Sequence, residues 1–171
     1  LMKKTLLMMT VILSGCASTS PDRVQIKEST IKPVIYDYKI PATTKDKLFI
    51  RARDHIATVY GDSKSVIRVQ DQYAGTIIGK GVVDWKLKTG YWLTPYLQCS
   101  ANYDIRFMAK DNKARLQLEL IKGAPSYSKC SGWKLPTITA YKEIQTSFSK
   151  IASGIENALK SSGHMESFKD F

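Results

Sequence analysis

Three cysteines are the residues of this chain whose chemistry and position are most informative. Cys16 ends a short apolar segment, whereas Cys99 and Cys130 lie in the second half of the chain. A thiol can serve as a nucleophile, a metal ligand or one half of a disulfide. Only two histidines, His55 and His164, accompany them, so a zinc site with several ligands is nearly excluded. The sequence shows no catalytic group and no cofactor site.

The segment that leads to Cys16 has the pattern of a secretory signal. Lys3 and Lys4 precede an apolar stretch from Thr5 to Leu13, and small residues follow. A charged start, a short apolar run and small residues at the end are typical of a signal peptide. The apolar stretch is about half of the roughly 20 residues that a membrane-spanning helix needs. We therefore expect a signal peptide over residues 1–15.

The end of this segment, Leu13-Ser14-Gly15-Cys16, resembles the bacterial lipobox. In that motif the cysteine thiol receives a diacylglyceryl group, a peptidase cleaves before the cysteine, and the new amino group is acylated. The resemblance implies an N-terminus lipidated at Cys16, and more than one acyl chain gives stable anchoring. Ala17 follows where Asp would retain a lipoprotein in the inner membrane of enteric bacteria, which favours the outer membrane, facing the periplasm. The alternative is a plain signal peptide with a chance cysteine.

Cys99 and Cys130 form an even pair once Cys16 is lipidated. Disulfides persist in the oxidising envelope compartment to which a signal peptide leads. The pair would close a loop of about 30 residues and stabilise the domain by roughly 3–4 kcal/mol in the chain-entropy model. The alternative is two unpaired thiols, because the sequence does not give their distance.

The rest of the chain predicts one α+β domain over residues 33–160. Residues 16–32 are polar and predict a flexible tether, and residues 161–171 predict a frayed tail. Alternating apolar residues predict a strand at 34–40, three further strands between residues 65 and 109, and one at 113–120. Gly79 and Gly81 predict a bend or bulge within one of them. Apolar residues at helical spacing predict helices that begin near Thr43 or Thr44 and that contain Ile144 to Leu159.

This β-α-β-β-β-β-α order predicts a two-layer sandwich, in which both helices cover one face of a four- to five-stranded antiparallel sheet. The order resembles an uncharacterised bacterial envelope domain family with a TATA-box-binding-protein-like fold. The run Val66–Ile121 carries the resemblance, with Gly75-Thr-Ile-Ile-Gly-Lys-Gly81 and Lys110-Asp-Asn-Lys-Ala-Arg115. It covers roughly residues 33–160, and it implies fold and compartment but no catalytic residues.

The excess of positive charge is the only global hint of a binding function. Lys and Arg number 26 against 15 acidic residues, which gives a formal charge of +11. On the solvent side of the predicted strands, the candidates for a binding surface are Lys80, Lys86, Lys88, Arg106, Lys113 and Arg115. With Tyr91, Trp92, Tyr96 and Trp133 nearby, they suit an anionic envelope component or an acidic envelope protein. The alternative is an ordinary solvated face. Export from the cytoplasm argues against nucleic acid as the partner.

We therefore expect a membrane-anchored envelope lipoprotein that is not an enzyme and acts as a binding or scaffolding module. The alternative is an envelope enzyme, or an inhibitor of one, whose site the sequence does not group. A contiguous charged face, as opposed to one that acids interrupt, would distinguish the two hypotheses, as would a concave pocket with converging titratable groups.

Overall fold

The computed structural model describes residues 20–59, 65–125, 128–130 and 132–161. Cys16, the rest of the predicted signal peptide and residues 162–171 of the predicted tail lie outside the described residues. After a short 3-10 helix at Glu28–Thr30, the elements are β1 (Val34–Lys39), α1 (Lys45–Val59), β2 (Ser65–Asp71), β3 (Thr76–Lys88), β4 (Tyr96–Lys110), β5 (Lys113–Leu120) and α2 (Ile138–Lys160). The predicted element order is confirmed.

The five strands form one antiparallel sheet in the order β1-β5-β4-β3-β2. Along β3, β4 and β5, buried residues alternate with partly or fully exposed ones. The period of two sends successive side chains to opposite faces, so one face is buried and the other is open. Both helices contact the buried face, as the two-layer sandwich requires. The predicted α+β class is confirmed.

The core lies between the buried sheet face and the two helices. In α2, Ile144, Phe148, Ile155 and Leu159 are buried, which agrees with the predicted apolar stripe. The Phe148 ring packs against Tyr103 of β4, with 5.0 Å between ring centroids. This contact joins the longer helix to the central strand of the sheet.

Helix α1 begins where the turn between β4 and β5 meets it. Thr44 accepts a hydrogen bond from the Lys47 amide, at 3.4 Å, as expected of a cap. The Asp111 carboxylate accepts a second bond from the Lys45 amide, at 2.8 Å. Asn112 occupies the left-handed region (φ 64°), which asparagine tolerates in tight turns. A residue 66 positions away in the chain thus completes the helix start.

The bulge expected at the glycines of β3 lies in β2 instead. The pairing register shifts between Ile67 and Val69, opposite Gly79, so Arg68 is the extra residue. The pairing of β3 with β4 is continuous. Gly81 has a different role, because the Tyr103 ring from β4 occupies the space that a side chain at this position would need.

Residues 20–32 pack against the domain, which corrects the prediction of a flexible tether for the described part of 16–32. Gln25 pairs with Thr137 as an isolated β-bridge, and the amide of Ile26 donates to the Pro136 carbonyl at 3.0 Å. The Ile26 side chain is buried in the core. The few apolar residues of this polar segment are too short a pattern to show a period, so sequence reasoning missed this contact.

Candidate functional site

The open face of the sheet carries a row of side chains that crosses all five strands, which we call the apolar row after its three apolar members. Register places Ile35 of β1, Gln117 of β5, Arg106 of β4, Ile78 of β3 and Val69 of β2 side by side. The three apolar members of this row are exposed, as is Met108 in the next row. Large apolar side chains grouped on a solvent-facing sheet are typical of contact surfaces.

Charges of both signs flank this apolar row. Arg115 donates two hydrogen bonds to the Asp37 carboxylate, at 2.6 and 2.8 Å, across β1 and β5. The bonds from Arg115 hold the pKa of the Asp37 carboxyl below its usual value. On the other side of the row lies Asp104, whose carboxylate is 4.0 Å from the guanidinium of Arg106 within the row. The open face is therefore not uniformly basic.

The six predicted binding cations all belong to the open-face positions of the strands, but the structure divides them between the two ends of the sheet. Lys86 and Lys88 lie at the end of β3, while Lys113 lies at the opposite end of the sheet, beside the β4–β5 turn. Lys80 lies in the middle, paired in register with Asp104, and Arg106 and Arg115 lie near carboxylates. Alternation assigns a residue to a face, but it does not place it relative to acids on neighbouring strands. Four of the six cations occupy neighbouring positions, either diagonal on adjacent strands or two residues apart: Lys80, Arg106, Arg115 and Lys113. The carboxylates of Asp37 and Asp104 interrupt this group, so the six cations do not form one uninterrupted basic surface.

The end of the β3–β4 hairpin, residues 88–97, is a second exposed surface, which we call the hairpin end. Its loop is closed by a hydrogen bond from the Thr89 amide to the Pro95 carbonyl, at 3.0 Å. Its exposed large side chains are Tyr91, Trp92, Leu93, Tyr96 and Leu97. Trp92 is 87% exposed, and Tyr91 and Leu93 are each 73% exposed.

Of the aromatic residues predicted to accompany the cations, some are exposed at the hairpin end and one packs against the core. The ammonium of Lys86 lies over the Tyr96 ring, 5.9 Å from the ring centroid. Trp133 does not join the hairpin end, because it packs edge-to-face on the buried Trp85 at 6.4 Å.

The start of the described chain lies against the hairpin end. Lys88 forms an ion pair with Asp22 at 3.0 Å, and the Arg23 guanidinium lies against Gly90 in the space that a side chain would need. A hydrogen bond from Thr139, and then one from Lys88, hold the pKa of Asp22 below its usual value. Residues 20, 22 and 23 line a shallow hollow together with Tyr91, Trp92 and Pro95. Sequence reasoning missed this association because no local pattern links residues so far apart.

Cys99 and Cys130 form the predicted disulfide, with 5.3 Å between their Cα atoms. Both cysteines are buried. The Ser128 hydroxyl accepts hydrogen bonds from the amides of Ser100 and Cys130, at 3.2 and 3.3 Å. The disulfide and these bonds hold the segment before α2 on the first residues of β4.

One buried and one half-buried titratable group make contacts between elements. The Tyr38 hydroxyl donates to the Ala152 carbonyl of α2 at 3.0 Å, and burial raises the pKa of Tyr38. The His55 ring of α1 lies next to Gly154 of α2, and burial lowers the pKa of His55. Both side chains hold α2 against its neighbours.

Neither a metal centre nor a spanning helix is found in the described part of the chain. No three His, Cys, Asp or Glu side chains there form a group able to hold a metal ion. None of the described helices is both long and apolar enough to cross a membrane.

A shallow hollow on the open face is lined by the carboxylates Glu28, Asp104 and Glu119, together with Arg106 and Lys122.

Comparison with known proteins agrees with this fold. Residues 36–123, just over half of the chain, match the model of a domain of unknown function (DUF4468) with TBP-like fold. The structure is similar to a DUF4468 family protein from Bacteroides ovatus ATCC 8483, with 14% identity, coverage of 82% of this chain and 92% of that one, and a TM-score of 0.59. It is also similar to a TBP-like protein from Parabacteroides distasonis ATCC 8503, with 13% identity, coverage of 78% and 97%, and a TM-score of 0.53. No curated protein matches the sequence.

Proposed function

This chain belongs to the DUF4468 family of TBP-like domains, and we propose that it is a membrane-anchored lipoprotein of the bacterial cell envelope. In this proposal the domain is not an enzyme but a binding or scaffolding module. The anchor is the lipid on Cys16, and the location is the outer membrane, facing the periplasm. The observation that carries the proposal is the order of features in residues 2–16: two lysines, a short apolar run, small residues and a cysteine.

The disulfide supports an extracytoplasmic location. Cys99 and Cys130 are bridged and buried. Disulfides are rare in the reducing cytosol of mesophiles and common in the periplasm. A signal segment and a structural disulfide therefore point to the same compartment from independent parts of the chain.

The open sheet face supports a binding role with a protein partner. Ile78 and Val69 are exposed neighbours in the apolar row, and the exposed Met108 lies diagonally from Ile78 on β4. Arg106 and the Asp37–Arg115 pair lie around this apolar group. Interfaces between proteins combine a small apolar centre with a polar rim. An anion alone would use the cations and leave the apolar row without a role, so an envelope protein is the partner that we favour.

The described titratable groups with shifted pKa values support a non-enzymatic module. Asp37 and Asp22 belong to ion pairs between chain segments, and Tyr38 and His55 hold α2 in place. Each of these groups thus has a structural contact that accounts for its shift. A shifted pKa can also indicate catalysis, but here the packing explains it.

Fatty-acid labelling tests the anchor. Cells that express the Cys16→Ala variant should show no palmitate label on this protein, and the precursor should stay uncleaved. The matched control is Cys99→Ala/Cys130→Ala, which removes both cysteines of the disulfide but leaves the acceptor, so its label should remain. Label retained on Cys16→Ala would refute the anchor.

Photo-crosslinking from the open face tests the binding role. A photoreactive residue at Ile78 should give a discrete adduct with an envelope protein in intact cells, and Arg106→Glu should abolish that adduct. The control position is Lys150, which is exposed on α2. Identical adducts from both positions would show that the face does not select a partner.

A further inference from the structure

We infer that the hairpin end docks on the headgroup layer of the membrane that holds the anchor, and so fixes the orientation of the domain. This inference rests on the proposed lipidation of Cys16. The occupant is a bilayer surface with anionic phospholipid, not a protein. The argument uses the composition of the hairpin end, its charge and its position relative to the start of the described chain.

The composition of the hairpin end suits a membrane interface. Tyr91, Trp92 and Leu93 are consecutive and strongly exposed, and Tyr96 is exposed beside them. Tryptophan and tyrosine concentrate at membrane–water interfaces because their rings are apolar and carry one polar group. In water the apolar area of this loop stays exposed to solvent, whereas at a membrane interface that area would be buried.

The charge near these aromatics is complementary to anionic headgroups. Arg23, Lys86 and Lys88 carry three positive charges, and Asp22 carries one negative charge, so the excess at this end is 3 − 1 = +2. Basic side chains near a surface that contains anionic lipid are attracted to it within about a Debye length. Two of these positive charges belong to Lys86 and Lys88, the open-face cations at this end of β3, and the third belongs to Arg23.

The covalent chain brings this end to the membrane. Ser20 and Arg23 line the hollow beside Tyr91 and Trp92, and Lys88 holds Asp22 at 3.0 Å. Only four residue steps separate Cys16 from Ser20, and an extended chain reaches about 3.5 Å per residue, so the separation is at most about 14 Å. An anchor at Cys16 therefore keeps the hairpin end close to the lipid surface.

The length of β3 makes the orientation testable. At about 3.3 Å per residue, the 13 residues of β3 separate the two ends of the sheet by about 40 Å. Tyr73, at the β2–β3 turn, lies at the far end and is 92% exposed. If the hairpin end touches the lipid, then Tyr73 stands far from it.

Quenching of tryptophan emission by brominated lipid tests the inference. The mature lipidated protein is placed in vesicles of phosphatidylethanolamine and phosphatidylglycerol whose acyl chains are brominated or not. The bromines should quench Trp92, and Trp92→Phe should abolish the difference between the two kinds of vesicle. In the Trp92→Phe background, Tyr73→Trp should give no new quenching. Replacing Tyr91 and Leu93 by serine should reduce the quenching of Trp92 with an unchanged circular dichroism spectrum.

Flotation separates the two ways in which the idea can fail. Protein that does not float with the vesicles refutes the lipid anchor, and the docking inference falls with it. Protein that floats but shows the same Trp92 emission in both kinds of vesicle overturns docking alone. Equal quenching of the Tyr73→Trp reporter also overturns it, because the domain would then have no fixed orientation.

Discussion

Removing the Cys99–Cys130 disulfide should lower the free energy of unfolding by about 3.7 kcal/mol at 25 °C. The sequence separation is 31 residues, and the chain-entropy model gives this value for a loop of that length. The free energy of unfolding of a protein domain is typically about 5–15 kcal/mol, so this loss is a large fraction of the total. We expect the reduced protein to fold only marginally at 37 °C.

Urea denaturation followed by far-ultraviolet circular dichroism measures this loss. The starting protein is the chain from Ala17 onward, which keeps every described residue. The Cys99→Ala/Cys130→Ala variant is compared with the unmutated protein after reduction, which keeps the side-chain volume of the two buried cysteines. The m-value should rise in both cases, because the unbridged denatured chain exposes more surface.

The single variant Cys130→Ala gives a sharper test. Because either substitution opens the same loop, the single variant should lose nearly as much stability as the double variant. If Cys130→Ala instead loses only about half the stability that the double variant loses, then the packing of the side chains, and not the cross-link, dominates. A loss below about 1 kcal/mol in both the reduced and the mutated protein would refute the reasoning, since the model requires several kcal/mol.

Two further predictions concern the contacts of α2. Phe148→Ala should cost about 3–5 kcal/mol in the same denaturation assay, because the ring is buried against Tyr103; exposed Lys150→Ala should change stability by no more than about 0.5 kcal/mol, and an equal loss from both would contradict the packing. Burial lowers the pKa of His55 below 6.5, so the unfolded chain binds that proton more readily and stability should fall as the pH drops below about 6.5. His55→Gln should flatten melting temperature against pH between about 7.5 and 5.5, whereas an unchanged slope would exclude His55 as the cause.

The elements that the sequence predicted well are those whose pattern is local. β4 and β5 alternate without interruption on both sides of the Asp111–Asn112 turn, and a two-residue turn also fixes their register. The α2 stripe repeats at helical spacing through Leu159. In each case the residues that specify the element are close to each other in the sequence.

The features that the sequence missed depend on contacts between distant segments. Alternation places Arg115 on the open face, but only the pairing of β5 with β1 puts Asp37 opposite it. Likewise, Lys86 and Lys113 share a face, yet they pair with opposite ends of β4, at Gln98 and Lys110, which lie about 40 Å apart. The binding surface predicted from alternation alone therefore grouped cations that lie apart in the folded domain.

The disulfide connects the stability of the domain to the orientation that we infer for it. Cys99 lies three residues after Tyr96, so the bridge fixes Cys130 near the hairpin end. From there the chain continues to Thr137, which pairs with Gln25, and to Ile138, whose amide donates to the Val24 carbonyl at 2.9 Å. Opening the bridge would loosen the segment on which residues 24–26 rest. The bond that stabilises the fold thus also supports the segment on which the start of the described chain rests.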